Sequence, residues 1–125
     1  MRESSHLQRA LVVDDDGAVR DLLAEMLELR GLEVEAVGSA EEALHALESG
    51  PLPDVVVLDR RMPGMSGDDL LQRLKANSAW SRIHVAVVSA LPRDDRGLAA
   101  QPDAYLEKPF DAERLDEALK HMGAS

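Results

Sequence analysis

Two rhythms of apolar residues alternate along the 125-residue chain. Short unbroken runs such as Leu11-Val12-Val13 and Val55-Val56-Val57-Leu58 have the character of strands buried on both faces. Longer segments between them repeat apolar residues every three or four positions, as amphipathic helices do. The run over 9–14 reads as a strand that ends in acids. In the helix that follows, Val19, Leu22, Leu23, Met26 and Leu27 share helical spacing, Asp16 is placed to cap the start, and Gly31 to end it. A second strand over 32–37 alternates, and its helix opens at Ser39, carries Ala40, Ala43, Leu44 and Leu47, and stops at Gly50. The third strand, 53–59, passes through a Met-Pro-Gly turn into a helix lined by Leu70, Leu71 and Leu74. A fourth strand spans 83–90. The segment 91–102, bracketed by Pro92 and Pro102, has room for a short helix of at most about two turns. A fifth strand within 103–110 leads to a last helix with Leu115, Ala118, Leu119 and Met122 along one side.

Strands this apolar, alternating with helices, imply a doubly wound α/β domain: a five-stranded parallel sheet with helices on both faces. The length suits one domain over 1–125, with a core at about 8–122, and such a domain buries roughly two-thirds of its unfolded surface. Charge then narrows the function classes. Fourteen Lys and Arg stand against 24 Asp and Glu, a formal net charge of -10, so a phosphate backbone would be repelled and direct nucleic-acid binding is not expected. One Phe, one Trp and one Tyr offer no platform for stacked bases. The chain has no cysteine, which removes disulfides and thiolate chemistry, and its four histidines lack metal-ligand spacing. No run approaches the roughly 20 apolar residues of a membrane span, and the N-terminus lacks a signal-peptide core, so a cytoplasmic protein is expected.

Candidate chemistry collects at the carboxyl ends of the strands, where open parallel sheets bind ligands. Strand one ends in Asp14, Asp15 and Asp16, strand three in Asp59, strand four in Ser89, and strand five in Lys108 followed by Pro109. With strands one and three as neighbours, Asp14, Asp15 and Asp59 converge. Such a cluster favours protonation or a hard cation, and a few oxygen ligands beside a phosphate suit Mg2+. Ser89 and Lys108 can both meet phosphoryl oxygens, and Asp59 can accept a phosphoryl group as an acyl phosphate. Taken singly, each residue has a plainer role: acids begin turns, and Asp16 suits a helix cap better than a ligand.

"LVVDDD" at 11–16, "DVVVLDRRMPGMSG" at 54–67, "VVSA" at 87–90 and "AYLEKPF" at 104–110 together resemble the receiver domain of two-component response regulators. The resemblance covers nearly the whole chain. It implies the flavodoxin-like strand order 2-1-3-4-5, which is that family's own order and is not read from periodicity. It further implies that Asp59 takes a phosphoryl group from a histidine kinase or phosphotransfer protein. Asp15 would bind Mg2+ directly, with Asp14 acting through water and the backbone carbonyl of Arg61 as a further ligand. Lys108 would contact the phosphoryl oxygens, and Ser89 would hydrogen-bond the phosphate once formed. Tyr105 would be the aromatic switch, although it also suits a half-buried strand aromatic. A cis peptide before Pro109 is implied as well. Such a domain is a signalling switch with self-catalysed phosphorylation and dephosphorylation rather than an enzyme. It would act on an unknown downstream protein, and homodimerisation on phosphorylation is a further expectation.

Two features depart from the family pattern. Arg61 stands where many relatives carry a small or amide side chain; it could screen the phosphate or simply be a solvated or salt-bridged surface residue. Between Ser89 and Lys108 the segment is about three residues shorter than the usual pattern, which shortens the fourth helix or makes it irregular. Two rival readings follow: a module that binds partners without phosphorylation, and a small aspartyl-phosphate hydrolase. Such hydrolases usually place a second acid two residues after the nucleophile, where this chain has Arg61.

Overall fold

The computed structural model describes residues 7–90 and 100–123. Five parallel strands, β1 (Arg9–Val13), β2 (Glu33–Val37), β3 (Val55–Asp59), β4 (His84–Ser89) and β5 (Ala104–Glu107), lie in the order β2-β1-β3-β4-β5. The helices are α1 (Gly17–Glu28), α2 (Ala40–Ser49), α3 (Gly67–Ala76) and α4 (Ala112–His121). The short helix expected within 91–102 falls mostly on 91–99, outside the described residues. The register places Val13 beside Leu58, Asp59 beside Val88, and Ser89 beside Glu107, so the strand ends form one rim.

Two cores sandwich the sheet because successive side chains of a strand point to opposite faces. One joins Val12, Val57 and Val88 to Leu23 and Leu27 of α1 and to Leu115 and Leu119 of α4. The other joins Val13, Val56, Leu58 and Val87 to Ala43 and Leu47 of α2 and to Leu70, Leu71 and Leu74 of α3. All five residues of β3 are buried, as a strand covered on both faces must be. The β2 edge is different, with Glu33, Glu35 and Ala36 exposed. Leu22 departs from its expected place in the α1 core stripe: it lies at the edge of a stripe centred on Val19, Leu23, Met26 and Leu27, and is 49% exposed.

Helix starts follow the sequence closely. Asp16 caps α1 by accepting from Ala18 N at 3.0 Å and Val19 N at 3.3 Å, so it serves the helix. Ser39 caps α2 through Glu42 N, while Glu42 reaches back to Gly38 N at 2.8 Å. Beyond α1, Gly31 turns the chain with φ +88°, a conformation costly for any residue bearing a Cβ.

Candidate functional site

The end of β1 turns sharply because one carboxylate folds back on its own chain. Oδ1 of Asp14 accepts from Asp16 N at 2.9 Å, and the Asp14 carbonyl accepts from the Arg20 guanidinium at 3.0 Å. Asp14 is thereby fully buried, and its Oδ2 has no hydrogen-bond partner. Asp15, next in the chain, is exposed at the mouth of the same hollow. Asp59 ends β3 with its side chain 11% exposed, and its Oδ1 faces Arg61 N at 3.5 Å.

Lys108 enters this group from the end of β5, where its amide donates to the Ser89 carbonyl at 2.7 Å. The peptide that follows, Lys108–Pro109, is cis, as the resemblance implied. The ammonium lies 3.5 Å from Asp14 Oδ2 and 3.7 Å from Asp59 Oδ1, bridging both carboxylates. One cation does not balance three acids. Burial, then the Asp14 charge, pushes the Asp59 carboxyl up to about 6; Lys108 and the Arg61 amide oppose that rise.

One carboxylate oxygen from each of Asp14, Asp15 and Asp59 lies within 4.8 Å of the others, the one group of this kind among the described residues. A buried carboxylate oxygen with no hydrogen-bond donor, only the Lys108 ammonium at 3.5 Å, beside two more acids fits a hard divalent cation that prefers oxygen ligands. Ser89 is the last residue of β4, the strand next to β3, and is buried. The expected site residues Asp14, Asp15, Asp59, Ser89 and Lys108 therefore share one rim of the sheet.

Tyr105 lies farther off. Its ring is half-buried against the core on the α2 and α3 side, and its hydroxyl is buried close to the Arg60 guanidinium. This placement suits either of its two expected roles. Arg61 is exposed, and its side chain makes no ion pair among the described residues, which leaves a solvated cation two residues from Asp59.

Three contributors escaped the sequence reading. Arg60 Nε forks to both oxygens of Asp68 at 3.0 and 3.2 Å, tying the end of β3 to the first turn of α3. Burial works against its charge, but Tyr105 and Asp68 outweigh burial and hold the guanidinium in its charged form. Gly67 starts α3 almost in contact with the backbone of Asp59, and Glu41 of α2 accepts from Met65 N. The glycine in "MPGMSG" was a usable signal. Nothing in the spacing of Glu41 and Met65, 24 residues apart, announced their contact.

The comparisons agree with this geometry. Residues 10–120 match the family model described as response regulator receiver domain. The phosphate regulon transcriptional regulatory protein PhoB of Rhizobium meliloti is 34% identical over 119 residues, covering 93% of this chain and 52% of that protein. The DNA-binding response regulator MtrA of Mycolicibacterium paratuberculosis is 34% identical over 113 residues, covering 86% of this chain and 48% of that protein. The chain thus spans about half the length of these two relatives. Among solved structures, the response regulator TrrA of Thermotoga maritima, in complex with Mg(2+)-BeF, is similar with a TM-score of 0.83. Its identity is 31%, and the match covers 93% of this chain and 99% of that one.

Proposed function

Because the chain belongs to the family of response regulator receiver domains, we propose that it is a phosphoacceptor switch in which Asp59 is the acceptor. The observation that carries this reading is the setting of Asp59: a carboxylate at the end of a fully buried strand, between a lysine ammonium and two further acids. In the transfer, a carboxylate oxygen of Asp59 attacks phosphorus while the bond to the donor histidine nitrogen breaks with its electron pair staying on that nitrogen; the acyl phosphate forms, and the donor, protonated on its other ring nitrogen, leaves as neutral imidazole. Lys108 is close enough to meet the incoming phosphoryl oxygens and to steady the charge that develops on them. Ser89, at the end of the neighbouring strand, offers its hydroxyl to the phosphate once it is attached.

Asp14, Asp15, Asp59 and the Arg61 carbonyl would hold Mg2+, which when bound supplies positive charge to the phosphoryl oxygens. Acetyl phosphate with Mg2+ is expected to add one phosphoryl group to the protein, read as a mass increase, and Asp59→Asn is expected to abolish the addition. Addition that persists in Asp59→Asn would remove Asp59 from this role. Asp15→Asn is expected to weaken Mg2+ binding and slow the labelling by at least about tenfold, since a directly coordinating carboxylate is lost. Equal affinity by calorimetry in the two proteins would place the metal elsewhere.

The new dianion then biases two packings of the same fold, with Ser89 and Tyr105 as the responding groups. A nearly complete shift requires about 5.5 kcal/mol of differential interaction, within reach of several charge-assisted contacts at one site. The donor in this reading is a histidine kinase or phosphotransfer protein, and the output is read by another protein or domain. The names PhoB and MtrA describe a transcriptional regulatory and a DNA-binding protein, each about twice the length matched here. For this strongly acidic chain, DNA contact would belong to an attached or separate partner. Among the described residues no helix is long and apolar enough to cross a membrane, which supports the cytoplasm as the place of action.

A further inference from the structure

Residues 61–66 connect the acceptor strand to α3, and their backbone carries the Arg61 carbonyl. Apart from bonds to β3 and α3, which flank it, this loop makes one hydrogen bond to another element among the described residues: Met65 N donates to Glu41 Oε2 at 3.2 Å. The same carboxylate oxygen sits where a Cβ on Gly64 would be 3.1 Å away, so the glycine, with φ +76°, leaves the space in which Glu41 closes on the loop. Met62 and Met65 are partly buried and pack against the core beneath. Glu41 stands in the first turn of α2, where the helix dipole favours a carboxylate.

We propose that Glu41 is a positioning residue for the metal site: by holding Met65 it fixes the turn that presents the Arg61 carbonyl to the cation. This rests on the reading of that carbonyl as a ligand, given above. The acceptor of the bond is a single oxygen, so the role needs an oxygen at this position and not a charge. A glutamine keeps the oxygen, and an alanine removes it.

The full chain and its Glu41→Ala, Glu41→Gln and Asp15→Asn variants would be titrated with Mg2+ by calorimetry. In parallel, hydrogen exchange of the Met65 amide would be followed without metal. Glu41→Ala is expected to bind Mg2+ about three- to tenfold more weakly, the range set by loss of one partly exposed hydrogen bond, and to exchange the Met65 amide faster. Glu41→Gln is expected to stay within about twofold of wild type in both measurements. Unchanged affinity in Glu41→Ala, or equal weakening in Glu41→Gln, would overturn the proposal; the second result would assign the effect to charge. Unchanged affinity in Asp15→Asn would instead bring down the metal reading, and the proposal with it. Faster exchange in Glu41→Ala at unchanged affinity would show a tether for the loop that does not serve the metal.

Discussion

Asp59→Asn is expected to make the metal-free protein more stable at pH 8 by about 2–3 kcal/mol. The folded protein holds this carboxyl at about 6 against an ordinary 3.8, chiefly because the group is buried and then because Asp14 stands beside it. A raised value in the folded state means that the protonated form is the one folding favours. The contribution is therefore fully present below about pH 4 and is lost as pH rises through 6. Above pH 7 the ionised Asp59 costs about 3 kcal/mol, at about 1.4 kcal/mol per unit of displacement. Asparagine keeps the volume, cannot ionise, and can donate to the buried Oδ2 of Asp14. Urea unfolding of both proteins at pH 5 and pH 8, without divalent cation, measures the effect: the stability difference should widen with pH. Parallel pH profiles would refute the assignment. Millimolar Mg2+ should narrow the gap at pH 8, since a cation bound only by the folded state offsets the repulsion.

That destabilisation also explains why the site could be read from the chain at all. A buried run such as Val55–Leu58 ordinarily passes into a turn through a small or polar residue, and an acid there stands out because burial makes it expensive. The same holds for Asp14, which follows the four buried apolar residues Ala10 to Val13. Strand ends carry their position in the sequence, because an apolar run can place its last residue only at the rim. Lys108 and Ser89 were legible for that reason. Side-chain contacts across the molecule were not. Arg60 and Asp68 are eight residues apart with a loop between them, and their pairing depends on how α3 folds back over β3. Leu22 failed in the other direction: apolar spacing in α1 was wide enough to include a residue at the stripe's edge, and only the packing of β1 and β2 decides which edge is covered. Tyr105 shows a further limit, since a half-buried ring is compatible with both a moving and a fixed aromatic until a phosphoryl group is added.

Gly67→Ala is expected to be the most damaging single substitution that leaves every charged and polar group of the site in place. A Cβ at this position would lie 2.1 Å from the Asp59 carbonyl oxygen, 2.9 Å from Arg60 Cα and 3.0 Å from Asp59 C. All three are backbone atoms at the end of β3 and the residue after it, so no side-chain rotation relieves the overlap. Gly67 N also donates to the Arg60 carbonyl at 3.0 Å, and Arg60 in turn grips Asp68, so the first turn of α3 is pulled toward β3 from both sides of the clash. The requirement is for space, since Gly67 has no positive φ. Either α3 retreats and loses part of the packing of Leu70, Leu71 and Leu74, or the end of β3 moves and takes Asp59 with it. The first outcome costs about 3 kcal/mol or more, at the upper end of what overpacking does. The second displaces Asp59, the proposed nucleophile, by enough to slow phosphorylation by about a hundredfold, since a shift of about 1 Å is sufficient. Gly31→Ala supplies the contrast. There φ is +88° and nothing lies within 4 Å, so only the conformational penalty of about 1–2 kcal/mol applies, and labelling by acetyl phosphate should be unchanged in the folded protein. Equal stability loss and equal labelling in the two variants would mean that the close approach of α3 to the acceptor strand does not position Asp59.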